Sequence, residues 1–217
     1  MLKLNNAPVF FPETGQIEAH IIHLENHKVS KELTERCVNS LEKINMPYNI
    51  WPAMDGTNGE NIKLPEHLKE EKHISWIKQS NNKLSKSEVA LFLTHYSLWA
   101  HCCTINKPIV VLEHDAIMVK PYTYHKYPNT IYYLGHSVQK NNEVHLGWNF
   151  ENDSYFYIAY THAYAIDPAA ARNLLSHAIR FGITHPVDNF MRMDVFTVVQ
   201  DDFYAYEENG EGTVIRS

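Results

Sequence analysis

Glu113 and Asp115 are the residues of this chain whose type and spacing most directly suggest chemistry. They follow an unbroken apolar run at 109–112, which is typical of a strand covered on both faces within a sheet packed between helices. Ligands of open α/β sheets bind at the carboxyl ends of such strands. A carboxylate pair there can hold Mg²⁺ or Mn²⁺, and the cation can neutralise the phosphates of a nucleotide. A solvated turn is the alternative for an isolated acid pair.

A long helix is predicted directly before this strand. Ser85 and Glu88 have the spacing of a capping box, and Pro108 stops the helix because proline disfavours helical backbone in the residue before it. Apolar residues then recur at helical spacing: Val89, Phe92, Leu93, Tyr96, Trp99, Ala100 and Cys103. One face of the helix should therefore pack against the sheet.

Strands and helices alternate along the rest of the chain. A strand at 20–24 precedes a helix with a buried stripe of Leu33, Cys37, Leu41 and Ile44, and a second strand at 48–53 ends in the Asp55-Gly56 turn. Further strands are predicted at 131–134 and, as one strand, over 155–166. Asp167 and Pro168 then start a helix whose buried stripe is Ala171, Leu174, Leu175, Ala178 and Ile179, and Gly182 closes it. This alternation of strands and helices predicts a single α/β domain over 1–217, in which residues 1–18 are a loosely patterned leading segment.

Residues 58–83 are rich in Asn, Lys and Glu and carry few apolar anchors. A connection of this length in a compact domain is commonly a lid or binding loop. A solvated surface segment is the alternative.

Composition limits the class of protein. A hydrophobic fraction of 44% over 217 residues favours an ordered globule, and a formal net charge of -6 gives no broad electrostatic reason to bind nucleic acid. The three cysteines form no disulfide framework, and the fourteen histidines show no HExxH spacing, which argues against structural zinc. No signal peptide and no apolar run near 18 residues is found, so we expect a soluble, cytoplasmic protein without a transmembrane segment.

Several segments together resemble glycosyltransferase family 25, which includes lipopolysaccharide-type and procollagen-type galactosyltransferases. The matching segments, in chain order, are IIHLENH, MPYNIWPAMDG, LSKSEVALFLTHYSLW, IVVLEHDAIM, AYAIDPAAARNLL and HPVDNFM. Two features depart from the family pattern. His114 stands where the family usually has the middle of three acids, and residues 25–28 replace its arginine-rich turn.

The resemblance implies an A-type glycosyltransferase fold, Rossmann-like, with a central and mostly parallel sheet. It implies glycan biosynthesis by an inverting enzyme that moves a hexose, galactose or glucose, from a UDP-sugar to a hydroxyl acceptor. Mn²⁺ or Mg²⁺ is the implied cofactor, held by Glu113 and Asp115. The acceptor is open among a glycan, a lipid-linked group, a protein and a modified nucleic acid, and so is the oligomeric state.

The resemblance also implies roles for individual residues. Asp188 is implied as the catalytic residue, and the substrate-binding residues are His23, Leu24, Asp55, His95 and Glu113. Three of them have a structural alternative: Asp188 can cap a helix beginning near Asn189, Asp55 can simply form a turn, and His95 can be a hydrogen-bonded helix residue behind the acids. Two other functions stay open, namely an inactive relative that binds sugars or a partner, and a nucleotidyltransferase.

Overall fold

A seven-stranded mixed sheet organises the computed structural model of this chain, which describes residues 16–56, 79, 83–123, 127–137, 146–147, 157–158 and 161–207. The strands are β1 (Ala19–His23), β2 (Tyr48–Pro52), β3 (Ile109–Leu112), β4 (Ala116–Met118), β5 (Ile131–Ser137), β6 (Leu146–Gly147), β7 (Tyr157–Ile158), β8 (Ala163–Ile166) and β9 (Val198–Glu207). The helices are α1 (Lys28–Lys43), α2 (Lys86–Ile105), α3 (Pro168–Phe181) and α4 (Val187–Phe190). The α/β class predicted from the sequence is confirmed.

The strand order in the main sheet is β2-β1-β3-β8-β5-β9-β4, and β6 pairs with β7 separately. Strands β2, β1 and β3 run parallel, and so do β5 and β9. Strand β8 lies antiparallel between β3 and β5, and β4 lies antiparallel to β9. The insertion of β8 brings the residues before it to the end of β3, where the backbone N–H of Glu113 donates to the carbonyl of His162 at 2.9 Å.

Helix α2 begins with the predicted capping box, in which Ser85 and Glu88 satisfy each other's backbone N–H groups. The predicted apolar face is too narrow, because Ala90, Leu98 and Cys102 are buried as well. Polar residues on the helix are buried too, each with a hydrogen bond; Thr94, for example, donates to the carbonyl of Ala90. Neither α2 nor any other helix within the described ranges is long and apolar enough to cross a membrane.

The core has one layer on each face of the sheet. Ile109 and Val111 of β3 pack with α2 and α3, whereas Val110 and Leu112 pack with α1. Strand β3, which precedes Glu113 and Asp115, is therefore covered on both faces, as expected. Most of the predicted helix stripes are buried, but Ile179 is 49% exposed, so its assignment to the core was wrong.

The bounds of several predicted segments differ in the structure. Ile17, which falls in the predicted lead, is buried, and its N–H donates to the carbonyl of Tyr122. Strand β2 ends at Pro52 rather than at 53. The predicted connection at 58–83 lies outside the described residues except at positions 79 and 83.

Candidate active site

The three residues that follow β3, Glu113, His114 and Asp115, lie at the carboxyl end of the strand. These residues form a turn after the strand, and their contacts show that Glu113 turns to the α2 side and His114 to the α1 side. Glu113 Oε1 lies 3.6 Å from Nε2 of His95 on α2, and His114 Nδ1 lies 3.2 Å from Oγ of Ser30 on α1. The site therefore joins the two core layers at one edge of the sheet.

Glu113 is held through one of its two carboxylate oxygens. The Thr161 hydroxyl donates to Oε1 at 2.5 Å, and the His95 ring approaches the same oxygen. Burial by itself would raise the pKa of Glu113, but the contacts with His95, followed by Thr161 and His114, lower it. The side chain is 19% exposed and stays ionised. Oε1 is thus occupied by the protein, which leaves Oε2 for a ligand.

His95 is held in turn by a chain of buried hydrogen bonds. The Trp99 indole N–H donates to the Tyr164 hydroxyl at 2.9 Å, and that hydroxyl lies 2.9 Å from His95 Nδ1. Because an indole N–H can only donate, the Tyr164 hydroxyl satisfies both contacts when it gives its proton to Nδ1. The ring proton is then on Nε2, which lies 3.6 Å from Glu113 Oε1 and makes no hydrogen bond within the described residues. His95 is fully buried. It lies behind the acidic residues and supports Glu113 from there.

Asp115 lies where a negative charge is unfavourable. Its Oδ1 is buried and has no hydrogen-bond partner within the described part of the chain. Burial, then the carboxylates of Glu113 and Glu207, raise the pKa of Asp115. A bound cation would reverse this effect by stabilising the ionised form.

The described residues contain no group of three or more His, Cys, Asp or Glu side chains placed to hold a metal ion. Mg²⁺ in nucleotide sites usually needs only one or two carboxylates, because substrate phosphates and water complete its shell. The unpartnered oxygen of Asp115, with Glu113 close by, therefore fits a hard cation that arrives with a phosphate ligand.

A small open pocket of about 30 Å³ lies beside Glu113, between the ends of β1 and β2 and the first half of α2. Its lining is mostly apolar on one side and polar at one edge: Ile22, Leu24, Ala53, Met54, Gly56, Ser87, Leu91, Thr94, Glu113 and His114. Leu24 and Glu113, two of the residues predicted to bind substrate, are among its lining residues.

The turn after β2 is fixed against α2 at this pocket. The Met54 N–H donates to the Thr94 hydroxyl at 2.9 Å. A Cβ at Gly56 would lie 2.4 Å from the carbonyl oxygen of Lys86, so no side chain fits there. Asp55 belongs to the same turn but does not line the pocket. His23 turns away from it, with Nδ1 2.9 Å from the Thr34 hydroxyl on α1.

Asp188 lies in the first turn of α4. This helix begins at Val187, its N-cap residue is Pro186, and Asp188 Oδ1 accepts from the Asn189 N–H at 2.9 Å. The alternative that Asp188 caps a helix starting near Asn189 is therefore wrong, because Asp188 is already helical. Burial, followed by the charges of Asp188, Tyr164 and Glu113, raises the pKa of Tyr133. The charges of Asp188 and Glu113 thus both act on Tyr133.

Several residues that shape this site were not found from the sequence. Ser30 continues the predicted stripe of α1, since it lies three residues before Leu33, and a serine on an apolar face was a usable signal. Thr161 gave no local signal, because only the antiparallel placement of β8 brings it to Glu113. Trp99 and Tyr96 were expected in the core, but the hydrogen bond from Trp99 to Tyr164 was not predicted.

The family described as "Glycosyltransferase family 25 (LPS biosynthesis protein)" has a model that matches residues 16–191 of this chain. The match includes β1 to α4 and every predicted site residue, so the chain belongs to this family and is a glycosyltransferase. The resemblance seen in the sequence is thereby confirmed.

No curated protein matches the chain. One solved structure with a similar shape is described as "Crystal structure of a glycosyltransferase involved in the glycosylation of the major capsid of PBCV-1". It is 10% identical, with a TM-score of 0.44, over 89% of this chain and 93% of the other. The assignment to the family rests on the matched family model and not on this likeness in shape.

Proposed function

We propose that this glycosyltransferase moves a hexose, galactose or glucose, from a UDP-sugar to a hydroxyl acceptor with inversion at the anomeric carbon. The observation that carries the proposal is the pocket beside Glu113, which combines an apolar wall with an ionised carboxylate at the carboxyl end of β3. An apolar wall suits the face of a base, and a carboxylate suits the hydroxyls of the attached ribose.

The diphosphate would lie next to Asp115, outside the apolar part of the pocket. Asp115 would be the direct ligand of Mn²⁺ or Mg²⁺, with Glu113 near it. Bound there, the cation would offset the negative charge that develops on the departing UDP. The buried, unpartnered oxygen of Asp115 supports this arrangement, because the ionised form needs a positive neighbour.

Asp188 would be the general base. In an inverting transfer the acceptor oxygen forms its bond to the anomeric carbon as the bond to UDP breaks, and a base takes the hydroxyl proton. Asp188 is half-buried on α4, on a different element from the acids after β3. The charges of Asp188 and Glu113 both help to raise the pKa of Tyr133, and this shared neighbour supports a base near the donor site.

The test is a panel of nucleotide sugars with Mn²⁺, read by thermal stabilisation and by hydrolysis. We expect UDP-galactose or UDP-glucose to raise the melting temperature and to release UDP. The matched control is the Asp115→Asn variant, in which both effects should fall. Absence of stabilisation and of hydrolysis with every donor would overturn the proposal and favour an inactive binding relative. Release of pyrophosphate instead of UDP would indicate a nucleotidyltransferase.

The acceptor is proposed only by chemical class. It carries a free hydroxyl on a glycan, a lipid-linked group, a protein or a modified nucleic acid. Transfer of labelled hexose from the donor that works in the panel, followed by separation of these four classes, identifies which one is used.

A further inference from the structure

Gly135 on β5 and His162, which directly precedes β8, lie opposite each other across the sheet. The register that pairs Tyr133 with Tyr164 reaches Gly135 and His162 two residues further on. On the other side of His162, its carbonyl accepts from the backbone N–H of Glu113 at 2.9 Å. Glu113, His162 and Gly135 therefore form one row, and directly opposite residues of such a row point to the same face of the sheet.

The His162 ring fills the space that the missing side chain of Gly135 leaves. A Cβ at Gly135 would overlap Nε2 of this ring and would lie 2.5 Å from its Cε1. His162 is 3% exposed, so its ring has little room to turn aside. A methyl group at position 135 would therefore push the ring away from β5 and towards Glu113, its neighbour on the other side of the row.

The position of His162 matters because the turn at 161–162 holds Glu113 at two points. The His162 carbonyl accepts from the Glu113 backbone N–H, and the Thr161 hydroxyl donates to Glu113 Oε1. Thr161 and His162 are both buried. Because the His162 ring cannot swing freely, its displacement is passed to the backbone of the turn and loosens both hydrogen bonds.

We propose that Gly135 is a positioning residue of this glycosyltransferase: by leaving room for the His162 ring, it keeps the turn at 161–162 against the end of β3 and so holds the Glu113 carboxylate for the donor. Gly135 and His162 act through Glu113 in this arrangement and need no contact with the donor. The inference rests on the proposed function, because it takes Glu113 as a donor-binding group.

Amide hydrogen exchange of the unliganded full chain gives the first test. The Glu113 N–H is compared with the Val110 N–H on β3, which donates to the Glu18 carbonyl at 2.9 Å. In Gly135→Ala the Glu113 amide should exchange about two- to tenfold faster relative to Val110, as expected when one hydrogen bond is lost. A general loss of stability would speed both amides and leave their ratio unchanged.

Calorimetric titration of UDP with Mn²⁺ present gives the second test. Gly135→Ala should weaken UDP binding roughly tenfold, which corresponds to the loss of one strong hydrogen bond. His162→Ala should weaken it less, because no ring is then pushed towards Glu113. In the double variant Gly135→Ala/His162→Ala, the UDP affinity and the exchange ratio should return to the values of His162→Ala alone, since both changes act on one contact.

Gly182→Ala is the matched control. Gly182 closes α3 with a φ of 77°, where a side chain is strained, so this glycine-to-alanine change also destabilises the fold. It lies outside the row of Glu113, His162 and Gly135. Gly182→Ala should therefore leave the UDP affinity and the exchange ratio as they are in the unmodified chain.

The outcomes separate this inference from the proposed function. An unchanged exchange ratio or an unchanged UDP affinity in Gly135→Ala overturns the role of Gly135, and so does a double variant that binds UDP as weakly as Gly135→Ala. If Gly135→Ala does not fold, a double variant that folds supports the contact, and one that also fails to fold overturns it. Absence of UDP and nucleotide-sugar binding in the unmodified chain overturns the proposed function, and the role of Gly135 in donor binding fails with it even if the exchange ratio responds as expected.

Discussion

Replacing Tyr164 by Phe tests the hydrogen-bond chain that supports Glu113. The variant keeps the ring but removes the hydroxyl that accepts from the Trp99 N–H and donates to His95 Nδ1. All three side chains are fully buried, so water cannot replace the lost partner. Each buried polar group left unsatisfied costs about 1–3 kcal/mol, so with partial relaxation we expect unfolding to become easier by about 2–4 kcal/mol.

Tyr133→Phe is the matched control. Tyr133 is also fully buried, and its ring lies 6.3 Å from the Tyr164 ring, but its hydroxyl has no hydrogen-bond partner within the described residues. Removing that hydroxyl relieves a desolvated polar group instead of breaking a bond. We expect a change of at most about 1 kcal/mol, and in the stabilising direction. Because both substitutions delete the same atom from the same residue type, the hydrophobic contribution cancels.

Urea denaturation of the two variants gives the comparison. With a slope of about 1–3 kcal/mol per molar urea, the Tyr164 variant should lower the midpoint by about 1–2 M, with an unchanged slope. Donor affinity should also fall in this variant, although Tyr164 does not line the pocket, because His95 loses the partner that fixes its proton. Equal midpoints for Tyr164→Phe and Tyr133→Phe would show that the chain does not stabilise the fold and would refute the reasoning.

Three further predictions concern the site itself. In metal-free protein, Asp115→Asn should stabilise the fold, because the pKa of Asp115 is raised. The unmodified chain and the variant should be equally stable at about pH 4, and the unmodified chain should become the less stable of the two as the pH rises towards the raised pKa. Thermal melts across that range test this, and coinciding curves for the two proteins would contradict it. With Mn²⁺, Asp115→Asn should weaken donor binding more than Glu113→Gln does, whereas Asp188→Asn should leave donor binding nearly intact and slow transfer roughly 10²- to 10⁴-fold. Calorimetric titration of the donor and turnover measurements test this. An equal loss of donor affinity in Asp188→Asn and Asp115→Asn would make Asp188 a ligand of the metal or nucleotide and not the base. Gly56→Ala should cost about 1–3 kcal/mol, because its Cβ meets the Lys86 carbonyl, and an unchanged urea midpoint would contradict this.

Local signals predicted the part of the fold that carries the acids. The capping box at Ser85, the stop at Pro108 and the apolar run after it each depend on residues within a few positions of one another. Such signals carry over to the fold because they involve only residues that are neighbours in the sequence. The start of α2 and the double burial of β3 were therefore predictable.

Contacts between distant segments were not predictable in the same way. The position of Thr161 depends on β8 lying antiparallel to β3, and nothing in the local pattern of either strand fixes that direction. Periodicity also missed the buried polar side of α2. Ser97 looks like a solvent residue by type, yet it accepts from the Trp51 indole at 3.0 Å and donates to the Thr94 carbonyl. A buried hydroxyl is tolerated when both roles are satisfied, and only tertiary structure shows that they are.

The charges around position 114 explain why a histidine can replace an acid there without disturbing its neighbours. Glu113 points to α2, where Thr161 and His95 hold it, and Asp115 already lies under the negative charges of Glu113 and Glu207. A third carboxylate between them would add to that repulsion. An imidazole carries no negative charge and so avoids the repulsion, and its Nδ1 lies 3.2 Å from the Ser30 hydroxyl oxygen. The substitution thus moves position 114 from charge to hydrogen bonding, while the acid with the unpartnered oxygen, Asp115, is left as the place for a cation.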